Sequence, residues 1–218
     1  MRNSIQRGAH QDFLNILISG DRLRCSEFAQ KYMKEKASIN QLYENIIKNA
    51  LYDIGELWEY NKISVATEHL ASAIVEALLN ELYSSITAKE KISKTVVVAC
   101  VENEFHQIGG KMISDIFELN GWNAHFLGAD TPTKDLIAFV QSTKPDILAI
   151  SLSIYFHLPV LESMIQSIRK ELTNLPILVG GQAFRHGGRD VILKYENVTY
   201  LPDLNSTDSY IKKLNQNG

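Results

Sequence analysis

The spacing of apolar positions changes once along the chain, near residue 90. Before that point the apolar residues recur at three-four spacing. Phe13, Leu14, Ile16, Leu17 and Ile18 open a helical segment that stops near Gly20, and a second runs from Ser26 to about Lys36. The longest stripe comprises Ile39, Leu42, Ile46, Ile47, Ala50, Leu51, Ile54, Leu57 and Trp58, one buried face of a helix over 38–58. Asn61-Lys62 interrupts it and Ser64 is a candidate cap for the next helix. That helix, over about 65–86, turns Ala66, Leu70, Ala73, Ile74, Ala77, Leu78 and Leu82 inward. Four helices with short polar connections predict a small bundle, assigned to residues 1–88.

The charged stretch 87–94 has no apolar face and reads as a linker. Beyond it, over 93–218, short apolar runs alternate with helical ones. Strands are expected at 95–100, 123–127, 146–151, 176–179 and 198–201, and helices at 107–120, 133–142, 158–172, about 187–195 and 206–215. Turn signals separate them: Asn120-Gly121, Lys144-Pro145-Asp146, Asn174-Leu175-Pro176 and Gly180-Gly181. Strict alternation at these lengths predicts an α/β fold with a parallel sheet covered on both faces. Five strands suit a doubly wound, flavodoxin-like (Rossmann-like) arrangement, which binds its ligand beyond the carboxyl ends of the strands where the strand order reverses.

Composition removes several function classes. A net charge of −3 over 218 residues gives no electrostatic reason to expect a nucleic-acid surface. Cys25 and Cys100 stand far apart and form no metal or disulfide pattern. The polar opening, with Arg2, Arg7 and His10, is no secretory segment, and no apolar run approaches the roughly 20 residues that span a bilayer. A reduced, cytoplasmic protein is expected.

Three groups could carry chemistry. The first is Glu104-Phe105-His106-Gln107-Ile108-Gly109-Gly110, at the turn from the first strand into its helix. A carboxylate two residues before a histidine can hold one ring nitrogen and leave the other to act as a base or a metal ligand. On this segment alone, a surface histidine at a helix start explains the pattern equally well. The second group is Ser151-Leu152-Ser153 with Gly180-Gly181-Gln182, at two further strand ends of the same sheet edge. A double glycine after a strand also reads simply as a tight turn, and neither G-x-G-x-x-G nor G-x-x-x-x-G-K-S/T is present to suggest a dinucleotide or a nucleoside triphosphate. The third is Trp58 with Glu68-His69, at one end of the bundle: a core tryptophan beside two polar residues, or a lid with one stacking ring and two hydrogen-bonding groups.

Taken together, Glu104-x-His106-x-x-Gly109, Ser151 and Gly180-Gly181 resemble the D/E-x-H-x-x-G…S-x-L…G-G pattern of base-off, His-on cobalamin-binding domains, and the helical bundle in front completes the module found in methionine synthase and corrinoid methyltransfer proteins. Trp58-x9-Glu68-His69 is similar to the lid of adenosylcobalamin photoreceptor regulators. The resemblance covers about residues 10–215. It implies that His106 is the lower axial ligand of cobalt and that Glu104 supports it. Ser151 would bond the dimethylbenzimidazole of a nucleotide tail lying along Gly180-Gly181, with Phe105, Gln107, Ile108, Ser153 and Gln182 lining the same site. Trp58, Glu68 and His69 would cover the upper face. The sequence departs from the pattern at Ser153, where leucine is usual, at Glu104, where aspartate is commoner, and at Glu59, where photoreceptors can carry a histidine.

The implied function is a cobalamin-dependent sensor, responsive to light, with adenosylcobalamin as the expected form and methylcobalamin or hydroxocobalamin as others. The photoreceptors carry a MerR-type DNA-binding domain in front; with none read in this sequence, the expected output is self-association or a protein partner rather than direct DNA contact. The alternative is a corrinoid carrier that passes methyl groups between methyltransferases, and a third reading is a cobalamin store without photochemistry. None of these makes the chain itself an enzyme, and no substrate-binding barrel of an isomerase accompanies the module.

Overall fold

The computed structural model describes residues 2–35, 38–86 and 90–216, except for the side chains of residues 2–7 and Leu193. Lys36, at the end of the second expected helical segment, and Thr87, Ala88 and Lys89 of the expected linker lie outside the described residues. Two units are formed, one up to Ser85 and one from Ile86 onward.

The first unit is helical. It contains α1 (Arg2–Ile18), α2 (Arg22–Lys34), α3 (Ile39–Leu42), a π-helical turn (Tyr43–Ile47) that runs straight into α4 (Lys48–Glu59), and α5 (Val65–Leu82). Local signals set the starts. Asp21 accepts from the N–H of Arg24 and Ser64 from that of Thr67, while Ser38 and Gln41 form a reciprocal capping box. The core joins Phe13, Leu14 and Leu17 to Cys25, Ala29, Leu42, Tyr43, Ile46, Ile47, Ala50 and Ile54.

α1 and α2 begin earlier than the sequence reading expects, at Arg2 and Arg22, and two buried faces differ from it. In α5 the buried face is Ala71, Ile74, Val75, Leu78, Leu79 and Leu82, whereas Ala66, Leu70 and Ala73 are exposed. Alanines fit either face, so they gave the stripe no phase, and Leu70 instead closes over Gly20 at the end of α1. In the third stretch, a π turn interrupts the expected continuous helix, and burial along α4 ends at Ile54, leaving Trp58 in the last turn outside the core. Spacing alone does not show a π turn.

The second unit has strands β1 (Thr95–Cys100), β2 (Asn123–Gly128), β3 (Ile147–Ser151), β4 (Ile177–Gly180) and β5 (Val198–Tyr200). They form one parallel sheet in the order β2-β1-β3-β4-β5. Helices α6 (Ile108–Leu119), α7 (Thr133–Thr143), α8 (Leu158–Glu171), α9 (Arg189–Leu193) and α10 (Leu204–Gln216) connect and flank the strands. β1 and β3 are buried along nearly their whole length, as central strands of a doubly covered sheet must be, which is why they read as continuous apolar runs. Because β1 pairs with both β2 and β3, the strand order reverses beside it, and the crevice beyond the ends of β1 and β3 is the ligand position of this topology. Among the described residues, no helix is long and apolar enough to cross a membrane.

Candidate cofactor site

Sheet register brings the strand-end residues into line. Cys100 pairs with Ser151 across β1 and β3, and Ser151 with Gly180 across β3 and β4. The turn after β1 then carries Glu104 and His106 over this edge.

Glu104 is fully buried, yet each of its oxygens is occupied. Oε1 accepts from the backbone N–H of His106 at 3.0 Å and pairs with His106 Nδ1 at 2.5 Å. Oε2 accepts from the N–H groups of Ser153 at 3.0 Å and Ile154 at 2.8 Å, in the loop after β3. Burial pushes this carboxyl up, but the hydrogen bonds from the His106 ring, the His106 backbone and Ile154 outweigh it and hold the group at about 2. An ionised carboxylate can only accept. His106 Nδ1 therefore carries the proton, so in the neutral ring the lone pair lies on Nε2. With 60% of the His106 side chain exposed, the result is an imidazole fixed in one tautomer at the sheet edge, suited to donating to a metal.

The other expected residues separate into those that face the edge and those the fold itself uses. Ser151 is buried, and among the described residues its hydroxyl has no hydrogen-bond partner. Gln107 starts α6, and its Oε1 accepts from the N–H of Ala129 at 3.2 Å, which ties the turn to the end of β2. Ser153 contributes its backbone to Glu104. Leu152, not Ser153, supplies the core side chain after Ser151. Gly110 packs against Phe126, which an added Cβ would approach to 3.2 Å, whereas at Gly109 the nearest atom would be Ser151 Oγ at an ordinary 3.7 Å. Protein packing thus explains Gly110 and leaves Gly109 unexplained.

For Gly180-Gly181 the explanation is wholly internal. A Cβ would fall 2.7 Å from the Leu201 carbonyl oxygen at Gly180 and 2.1 Å from the Leu152 carbonyl oxygen at Gly181, where φ is 120°. This pair is demanded by neighbouring backbone, and it carries no argument for a ligand. Gln182 opens the short 3-10 turn Gln182–His186 that follows.

Cys100 lies beneath the site with its thiol toward the His106 carbonyl at 3.7 Å. Burial and the Glu104 charge push that thiol up to about 12, so it is a neutral core group rather than a ligand. Two groups were missed by sequence reasoning. Phe156, 87% exposed, joins Phe105 and Tyr155 as apolar surface in the turns carrying His106 and the Glu104-binding loop. His157 lies with Nδ1 3.6 Å from Glu104 Oε2. An F-H pair in an apolar helix start gives no sequence signal that distinguishes it from core.

In the helical unit, Trp58 is 49% exposed, which sets aside the reading as a core tryptophan. It lies in the last turn of α4, and Glu68-His69 lies in the first turns of α5. Glu68 Oε2 holds His69 Nδ1 at 2.5 Å and Oε1 accepts from Ser72 at 3.0 Å, repeating the carboxylate-held imidazole of the other unit with 74% of the His69 side chain exposed.

Both units have relatives among known proteins. The HTH-type transcriptional repressor CarH of Myxococcus xanthus is 29% identical over 147 residues, covering 66% of this chain and 48% of the repressor. This chain thus spans about half the length of that relative. Dimethylamine corrinoid protein 1 of Methanosarcina acetivorans is 24% identical over 174 residues, covering 75% of this chain and 81% of that protein. Among solved structures, the monomethylamine corrinoid protein of Methanosarcina barkeri has the same fold, with a TM-score of 0.82 over 95% of this chain and 99% of that one, at 10% identity. The B12 binding domain family matches residues 94–199, and a second family of the same description matches residues 9–83. The chain belongs to the B12-binding domain proteins.

Proposed function

We propose that the protein is a cobalamin-dependent sensor in which His106 Nε2 is the lower axial ligand of cobalt. Three observations fit the cofactor: the imidazole held by Glu104 with its lone pair on Nε2, the buried Ser151 hydroxyl without a partner, and a Gly109 position that protein packing leaves open. The exposed Phe105 and Phe156 add apolar surface suited to a large macrocycle. Within the protein, Glu104 orients and polarises His106, and Ser151 is available to bond the nucleotide base. Bound adenosylcobalamin would supply a cobalt–carbon bond that light breaks.

The observation that carries the sensor reading is the exposed Trp58 with the Glu68-held His69. A half-exposed indole costs apolar burial, which contact with an upper ligand would recover. We assign Trp58, Glu68 and His69 to that ligand, so that its loss changes the packing of the bundle and, through it, self-association or a partner contact. A methyl-carrier reading is favoured by the 81% coverage of a dimethylamine corrinoid protein, against 48% of the repressor.

Reconstitution separates the two. The sensor reading expects adenosylcobalamin to bind more tightly than methylcobalamin, and the dark complex to change mass by light scattering after green light. An unchanged mass and spectrum after illumination, with methylcobalamin bound as tightly, would contradict the sensor reading. Gly109→Ala tests the fit at the first helical turn. Its backbone suits alanine, so the apo-protein should gain about 0.5 kcal/mol in denaturant unfolding, while cobalamin binding weakens. Equal cobalamin affinity would show that Gly109 does not face the cofactor.

A further inference from the structure

Between α1 and α2 the outer surface of the helical unit forms a groove of about 680 Å³. The short link from Ser19 to Asp21 makes the two helices antiparallel, and the rings of Phe13 and Phe28, 5.3 Å apart, set their register. Asp12 on α1 and Lys31 on α2 therefore stand within about one turn of each other on opposite banks. The floor carries the partly buried Ile16, Phe28 and Tyr32. Charge is divided between the banks. Asp12 is the one charged residue that α1 contributes to the lining, whereas α2 contributes Arg24 and Lys31 ahead of Glu35 at its end. Among the described residues, the side chains of Asp12 and Lys31 form no ion pair. Gly8 shares the bank of Asp12 and lies inside α1, where glycine lowers helix stability. Yet an added Cβ there would meet nothing within 4 Å among the described residues. Packing within the chain does not call for this glycine; a close approach from outside would.

We infer that this groove is a self-association surface whose occupant is a second copy of the chain. The complement of a groove with one acidic and one basic bank is a groove with the banks exchanged. A two-fold axis parallel to the helices supplies it: each α1 comes to lie over the partner copy's α2, antiparallel to it and at an unchanged height. Asp12 of each copy then meets Lys31 of the other at two symmetric positions. Ile16 falls over the other copy's Phe28, so the two apolar floors close on each other and lose water. The product is a four-helix layer in which every neighbour is antiparallel. The inference concerns the helical unit alone. It goes beyond the sensor reading, because it holds for the apo-protein and needs neither cobalt ligation nor light.

The test uses the full chain without cofactor. Sedimentation velocity should show a monomer–dimer equilibrium that moves toward dimer as protein concentration rises. Asp12→Lys and Lys31→Asp should each weaken dimerisation on the order of 100-fold, because like charges then face each other at both symmetric contacts. Mixed in equal amounts, the two variants should dimerise again, since every contact of the mixed dimer pairs opposite charges. Both side chains are exposed, so far-ultraviolet circular dichroism should match that of the unaltered protein. Gly8→Leu should keep the helix content and weaken the dimer by filling the close approach. If a charge variant loses helix content, Gly8→Leu decides. A monomer at every concentration would overturn the inference. So would a dimer that neither charge variant weakens, or a mixture no more dimeric than its two components. Cobalamin binding and the response to light are read on reconstituted protein, so their failure would leave this result standing.

Discussion

Glu104→Gln should cost about 3 kcal/mol of stability at neutral pH, because the carboxyl is lowered from 4.5 to about 2 and each unit is worth about 1.4 kcal/mol. The sign follows from the direction of the shift. A folded value below the unfolded one means that the stabilisation is fully present above about pH 4.5 and is lost as pH falls toward 2. Urea unfolding of the unaltered protein should therefore weaken across that window, and Glu104→Gln should show a flatter dependence there. The amide also places a donor where the structure has only donors, leaving an N–H of His106, Ser153 or Ile154 without an acceptor. Equal stability of the two proteins at pH 7 would show that the loops after β1 and β3 are held by something other than this carboxylate.

His106→Ala should behave in the opposite way. Its side chain is 60% exposed and buries little, so unfolding should change by only about 1.5 kcal/mol, the low end for one hydrogen bond to a charged group. Cobalamin affinity should fall on the order of 100-fold, at or beyond the upper end of what losing an outer partner costs a metal site. The absorption spectrum of any cofactor still bound should shift with its changed lower ligand. Glu104 and His106 touch at 2.5 Å, yet one substitution acts mainly on folding and the other mainly on the cofactor. An unchanged affinity and spectrum in His106→Ala would end the ligand assignment.

What the sequence made legible follows from periodicity. β1 and β3 stand out because central parallel strands are apolar without alternation, and the order of strands and helices then leads to the switch point beside β1. Glu104-x-His106 alone read equally well as a surface histidine at a helix start, and it became legible as a ligand pair only together with Ser151 and Gly180-Gly181 at neighbouring strand ends. Other features depend on neighbours distant in the chain. His157 joins the site only because the loop after β3 folds back onto Glu104, a contact across more than 50 positions that no local pattern encodes. The glycine at 181 reads as a ligand-facing residue until the Leu152 carbonyl is seen beside it. Trp58 joins the apolar stripe of its helix in the sequence, but it stands in the last turn of α4, past the end of the buried face at Ile54, and how far a core extends along a helix is not encoded in spacing.

In the function proposed here, a histidine of this protein, His106, replaces the cofactor's own base on cobalt. Paramagnetic resonance of cob(II)alamin bound to the protein tests it directly, using protein labelled with 15N only in histidine. One axial 14N splits each cobalt line into a triplet, and one axial 15N splits it into a doublet. Ligation by His106 gives a doublet in the labelled protein, a triplet in the unlabelled protein, and loss of the doublet in labelled His106→Ala. A triplet that persists in the 15N-histidine protein would mean that dimethylbenzimidazole still holds the cobalt, and would contradict it.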